Sequence, residues 1–314
     1  MSSISIIVPC YNEKNNIPLI LNELKKILSG YNIEIILVDD GSSDESFNIY
    51  NRLVLTESSI KYIRFSRNFG HQAALKAGID FAQGDAIVSI DADLQQPPAL
   101  IPDMIKKWEE GYDIVEAVRN DAHSLTWFKR ISSKLYYNLL SRLSDYPVKN
   151  GISDFRLIDK KVAEIVKQLP ENNLYLRGLF AWLGFRNAYI NYNLQNRKNG
   201  TTKYSIHKML HLASCGITSM SAKPLRFAMY MGLTVSGLAF IYAIYALYIA
   251  IFTEKAIAGW TSIIISVLFL SGIQLFVLGI LGEYLGKLFM ENKRRPTYIV
   301  SETNINIDTN DNVN

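Results

Sequence analysis

Two cysteines, Cys10 and Cys215, are all that 314 residues contain, and they sit in unlike surroundings. So few thiols exclude a disulfide framework and fit a reducing compartment. Internal repeats and low-complexity linkers are also missing. No basic leader is found either: Met1-Ser2-Ser3 runs straight into the apolar stretch from Ile4 to Val8, so no signal peptide is expected. The charge excess is small, +4, and much of it lies beside two apolar runs near the C-terminus. That distribution gives no reason to expect nucleic acid as a partner.

What the chain has in quantity is apolar sequence, unevenly spread. Hydrophobic residues make up 49% of the whole. From Leu225 to Phe252 the only formal charge is Arg226, and from Thr261 to Met290 the only ones are Glu283 and Lys287. Each run exceeds the roughly 20 residues that cross a hydrocarbon core, so 225–252 and 261–290 are expected to be transmembrane helices. Lys203, Lys208, Lys223 and Arg226 precede the first run, and Lys287, Lys293, Arg294 and Arg295 end or follow the second, whereas the connection 253–260 carries only Lys255. Both termini are therefore expected on the cytoplasmic side of the inner membrane, in a two-span protein. Gly272, Gly279 and Gly286 recur every seven residues beside Gly282, which suits close helix approach, either between the two spans or in a homo-oligomer.

Residues 1–220 alternate β-branched runs with helical spacing. Ile4–Val8 and Ile33–Val38 read as strands, and Ile17, Ile20, Leu21, Leu24 and Leu28 mark a helix between them. This alternation predicts an α/β domain, a mostly parallel sheet with helices on both faces. Two further helices are expected at the membrane surface, at about 124–143 and 204–217. In the first, Phe128, Ile131, Leu135, Leu139 and Leu143 form a stripe flanked by Lys129, Arg130, Lys134 and Arg142. The segment 291–314 reads as a cytoplasmic tail, polar and disordered from Ser301 onward.

Acidic loops follow the predicted strands. Ala86–Ile90 runs into Asp91-Ala92-Asp93-Leu94-Gln95, and carboxylates at a strand exit suit a divalent cation bound to a diphosphate. Val8 leads into Pro9-Cys10-Tyr11-Asn12-Glu13 and Val38 into Asp39-Asp40-Gly41-Ser42. Acidic groups there can accept from a base or ribose, Tyr11 can offer an aromatic edge, and Gly41 permits a tight turn. A plainer reading of the second loop is a capping box formed by Ser42 and Glu45. Arg67, in Ser66-Arg67-Asn68-Phe69-Gly70-His71, supplies a guanidinium for phosphate. The lone His71 reads as a local hydrogen-bonding residue.

Taken with Asp-Phe-Arg-Leu at 154–157, Arg-Lys-Asn-Gly-Thr-Thr-Lys-Tyr at 197–204 and Arg-Pro-Thr-Tyr-Ile-Val at 295–300, these pieces resemble the family 2 glycosyltransferases of the GT-A fold. The chain is most similar to the polyprenyl-phosphate branch, which includes dolichyl-phosphate mannose synthases and bactoprenol glucosyltransferases. The resemblance implies that Pro9, Tyr11, Glu13 and Asp40 hold the nucleotide. It implies that Asp91, Asp93 and Gln95 hold Mg2+ or Mn2+, that Asp154 lies near the acceptor, and that Arg197 and Lys203 grip phosphate. It further implies inverting transfer of a hexose from a nucleoside diphosphate sugar to polyprenyl (undecaprenyl) phosphate, glucose from UDP-glucose being the first choice. GDP-mannose, UDP-GlcNAc, UDP-galactose and a nucleotide-linked modified sugar are alternative donors. Departures from the pattern at Gln96, at Ala122-His123 and at Asn150-Gly151-Ile152-Ser153 leave the donor sugar open. A processive polysaccharide synthase would need more spans and a Gln-x-x-Arg-Trp motif, which Gln195-Asn196-Arg197 does not match. A non-catalytic membrane scaffold of transferase ancestry is the remaining alternative.

Overall fold

The structure, a computed structural model, describes residues 2–120, 151–171, 175–193, 222–252 and 259–305. The helices expected at 124–143 and 204–217 lie outside the described residues, as do Arg197, Lys203 and Cys215. Strand and helix alternate as β1 (Ser3–Cys10), α1 (Ile17–Ile27), β2 (Asn32–Asp39), α2 (Ser46–Thr56), β3 (Ile60–Phe65), α3 (His71–Phe81) and β4 (Ala86–Ser89). Then come α4 (Ile101–Glu109), β5 (Ile114–Arg119), β6 (Ile152–Asp159), α5 (Lys160–Gln168), α6 (Leu176–Leu183) and β7 (Asn187–Tyr192). Two long helices, α7 (Lys223–Phe252) and α8 (Trp260–Asn292), precede the last strand, β8 (Val300–Thr303).

One sheet runs β7-β5-β6-β4-β1-β2-β3-β8. Its centre, β4-β1-β2-β3, is parallel, while β6 joins both β4 and β5 antiparallel and β8 joins β3 antiparallel. Both faces of β1 are covered, which is why its apolar run is nearly continuous rather than alternating. Ile4, Ile6 and Val8 pack with Ile17, Leu21 and Leu24 of α1 and with Ile101 and Met104 of α4. Ile7 and Ile36 face the other way, onto Ala74 and Ala77 of α3 and Val162 of α5. Pro9 is buried within β1. The carbonyl of Ile7 accepts from Ile90 and that of Cys10 from Asp40, so Pro9, like Ile7, addresses β4. β4 ends its pairing at Ser89, opposite Ile7, and the missing N–H of Pro9 breaks no ladder bond.

The expected spans coincide with α7 and α8 to within two residues at each end. Their apolar side chains are exposed, Phe240 by 67% and Leu275 by 70%, so neither helix is the buried core of a soluble domain. Both are long and apolar enough to cross a membrane. A Cβ at Gly272, Gly279, Gly282 or Gly286 would meet no atom within 4 Å, so the glycine face is not used against α7 among the described residues.

The C-terminal expectation is corrected. Val300–Thr303 is not a disordered tail but pairs with β3, and Ile305 is buried. Glu302 reaches Arg64, Asn304 accepts from the Tyr62 N–H, and Tyr298 stacks on Phe65 at 5.1 Å while its hydroxyl donates to Asp80. Polar composition concealed this strand, because an edge strand can be held by its backbone with little apolar burial.

Packing of α3 onto β1 leaves no room at Gly78, where a Cβ would lie 2.2 Å from the Cγ2 of Ile7. Gly78→Ala is expected to destabilise the fold by about 1–3 kcal/mol through overpacking, less up to ~1 kcal/mol of helix propensity. Denaturant unfolding in detergent measures this; an unchanged midpoint would contradict the contact.

Candidate active site

Strand register brings the acidic motifs together. β1, β2, β3 and β4 are parallel, so the loops after them open at one edge of the sheet. β6 runs the other way beside β4, with Ser89 opposite Arg156 and Val88 opposite Leu157. Continued two residues past Ser89, that register sets Asp154 level with Asp91. Two carboxylates separated by 63 positions in the sequence thus meet across one strand pair.

The loops after β1, β2 and β3 brace one another. Asp40 is buried, and its carboxylate accepts from the N–H groups of Phe69 at 2.6 Å and Gly70 at 3.0 Å. Burial raises its pKa, which these amide bonds partly offset. The side chain therefore braces the Arg67–Gly70 loop. Gly41, at φ 67°, lies so close to that loop that a Cβ would come 2.4 Å from the carbonyl carbon of Arg67. No capping box forms: the Ser42 hydroxyl accepts from the Asn12 N–H, and α2 begins at Ser46, whose N–H donates to Asp44. With α2 starting at Ser46, Glu45 rather than Ser42 stands at the N-cap. Tyr11 stands 40% exposed at the mouth, and Glu13 accepts from Asn16. The guanidinium of Arg67 lies over the Phe69 ring at 4.0 Å.

In the aspartate loop, Gln96 clasps Asp91 twice, its Nε2 donating to Oδ2 at 2.6 Å and its Oε1 accepting the Asp91 N–H at 2.9 Å. Gln95, the expected metal ligand, donates its backbone N–H to Asp93 Oδ1. Leu94 adopts φ 58°, a left-handed conformation uncommon for a branched side chain and one that collects at functional loops. Burial raises the pKa of Asp91; His71 lowers it, and Asp154 and Asp93 raise it further.

Asp154, 6% exposed, collects donors from three elements. Arg177 on α6 grips it with two bonds, Nε to Oδ1 at 3.0 Å and Nη2 to Oδ2 at 2.8 Å. His71 Nε2 lies 3.4 Å from Asp154 Oδ2 and 3.6 Å from Asp91 Oδ1, bridging the two acids. Gln72 donates to Asp154 and accepts from the Leu176 N–H, tying α3 to the start of α6. Burial works against the Asp154 carboxylate, yet Arg177 and His71 hold its pKa well below the usual carboxylate range. Burial likewise works against the His71 imidazolium, but Asp154 and Asp91 outweigh it and raise its pKa to about 9. With 42% of its side chain accessible, His71 faces the open cleft.

Asp91 and Asp93 fit a hard divalent cation. Both supply carboxylate oxygens, and they lie two residues apart in one loop at the exit of β4. Among the described residues no cluster of three or more His, Cys, Asp or Glu side chains encloses a metal. Two carboxylates suffice for Mg2+ or Mn2+ where substrate phosphates and water complete the shell. Sequence reasoning passed over Arg177, Gln72, Glu116 and Arg156, whereas His71 has the local polar partners expected of it. A signal existed for two of those passed over: Glu116 and Arg177 are single charges inside apolar runs, and each needs a partner there.

Residues 5–166 match the model of glycosyl transferase family 2, and residues 223–288 match that of the GtrB C-terminal hairpin. The chain belongs to glycosyl transferase family 2, with a GT-A-like mixed sheet followed by two apolar helices, and is a glycosyltransferase. It is 46% identical to the uncharacterized glycosyltransferase YkcC of Bacillus subtilis, over 95% of this chain and 93% of the other. It is 39% identical to the prophage bactoprenol glucosyl transferase homolog of Escherichia coli, over 95% and 98%. With the bactoprenol glucosyl transferase of Shigella phage SfV it shares 38%, over 95% and 97%.

Gln96→Ala frees Asp91 and is expected to weaken Mn2+ binding about 10–100-fold while the fold stays intact by circular dichroism. Titration of free Mn2+ by electron paramagnetic resonance reads this directly, and wild-type affinity would remove Gln96 from any part in a metal site.

Proposed function

We propose that the protein transfers a hexose from a nucleoside diphosphate sugar to a polyprenyl phosphate at the cytoplasmic membrane face, with inversion at the anomeric carbon. UDP-glucose is the donor of first choice. The observation that carries this reading is the meeting of Asp91 and Asp93 with Asp154 at one edge of the sheet, in a chain that also holds two membrane-length helices. The bactoprenol names of the relatives support the acceptor class and the choice of glucose.

Asp91 and Asp93 would hold Mg2+ or Mn2+, which when bound neutralises charge developing on the leaving diphosphate. The α3 N-terminus, where His71 stands 3.6 Å from Asp91, would favour an anion there. Tyr11 and Glu13 line the mouth where a nucleotide would enter. The acceptor phosphate is already ionised at neutral pH and needs no strong base. Asp154 suits that demand: held by Arg177 and His71, it is a weak proton acceptor and a rigid orienting group. Arg197 and Lys203 are proposed to grip phosphate. Basic residues flanking the helices orient both termini to the cytoplasm, and the open glycine face of α8 offers a second copy a contact.

Two outcomes follow. Asp93→Ala is expected to abolish turnover while membrane insertion is unchanged, measured with undecaprenyl phosphate, Mn2+ and a panel of labelled UDP- and GDP-sugars. Lipid-soluble product from one donor fixes the sugar; nucleotide and metal binding without product from any donor favours the scaffold alternative. The second outcome concerns pH. A carboxyl held low is ionised above about pH 4, and its contribution to stability is lost only as pH falls through the depressed value. Asp154→Asn is therefore expected to lower kcat without removing the acidic limb of the kcat profile, while any limb set by His71 moves to lower pH, because the substitution removes a charge that raises the His71 pKa to about 9. A lost acidic limb would make Asp154 the base.

A further inference from the structure

Behind Asp154 lies a second ion pair that the proposed chemistry leaves unused. Arg156 and Glu116 are opposite one another in the β5–β6 register, and each is 3% exposed. Arg156 Nη1 stands 3.7 Å from Glu116 Oε1, a charge contact rather than a hydrogen bond. Its Nη2 donates to the Ser153 carbonyl at 3.1 Å and reaches Asp154 Oδ1 at 3.4 Å, while the guanidinium lies over the Phe180 ring at 4.5 Å. The Ser89 hydroxyl donates to the Asp154 carbonyl from the neighbouring strand. Burying a charge pair this way is poor stabilisation, because desolvation consumes the attraction and an apolar pair of similar volume often serves the fold as well or better. These charges also have the geometry of a row. Glu116, Arg156, Asp154 and Arg177 alternate in sign from the sheet interior to the cleft, with His71 and Asp91 at its open end.

We infer that Glu116 and Arg156 are positioning residues for the transfer: Glu116 fixes the guanidinium of Arg156, which holds the inner oxygen of Asp154 so that the outer one stays aligned with His71 and Asp91. This inference rests on the reading of Asp154 as an orienting group in glycosyl transfer. Neither residue touches substrate. Their effect falls on kcat through the placement of Asp154, and not on donor binding.

The test uses the full chain in detergent carrying Glu116→Leu with Arg156→Met. Expected are an unchanged or raised melting temperature, a kcat lower by about 10–100-fold, and a donor KM within about threefold of wild type. The His71 ring signal, read by 15N-histidine labelling and assigned by its loss in His71→Gln, is expected to shift at fixed pH. A folded double variant with wild-type kcat, or one whose His71 signal stays in place, overturns the inference. Should the double variant not fold, Arg156→Lys, which keeps the charge but not the fork, is judged on the same two readouts. A wild-type protein silent with every donor refutes the transfer reading, and the His71 signal then decides by itself whether the pair positions Asp154.

Discussion

Like charges forced together at the exit of β4 set the terms for the rest of the site. Asp91, Asp93 and Asp154 converge because β6 enters the sheet antiparallel to β4, so backbone pairing alone would create a concentration of negative charge. Cations answer it from one side. Arg177 comes from α6, His71 from the first turn of α3 and Arg156 from β6 itself. The balance is uneven along the row: Asp154 is compensated, whereas burial and its acidic neighbours leave Asp91 with a raised pKa. That asymmetry separates an orienting carboxylate from one suited to a metal.

A second constraint is mechanical. The loops after β1, β2 and β3 would each be short and mobile alone, but Asn12, Asp40, Gly41 and Ser42 lock them into one unit. Asp40 accepts backbone N–H groups from a loop nearly thirty residues downstream, so the position of Arg67 depends on a side chain of β2's exit. The acidic residues are therefore of two kinds. Some present oxygen to the cleft and others hold the cleft's walls.

Much of this was legible before any coordinates. β-branched runs located the first strands and helical spacing located α1, while uninterrupted apolarity located α7 and α8. Asp91 and Asp93 stood out as carboxylates at a strand exit, which carry a chemical meaning of their own, whereas Asp154, near the start of β6, was named only through the family resemblance. What remained hidden depended on pairing. The clasp of Gln96 on Asp91 follows the left-handed Leu94, a backbone state that no sequence motif reports. Asp40 reads the same in sequence whether it serves a nucleotide or a neighbouring loop. β8 escaped notice because hydrophobic pattern does not report a strand held by an exposed edge.

That last strand changes how the two halves of the chain relate. Seven residues, 293–299, connect the end of α8 to β8, and at roughly 3.5 Å per residue they span no more than about 30 Å. The soluble sheet is thus leashed to the second apolar helix by a short cord stitched into its β3 edge, not left to swing on a long linker. Wherever α8 leaves a bilayer, the β3 edge follows within that radius. A substrate whose tail stays dissolved in lipid would meet a catalytic edge that cannot drift away from the surface.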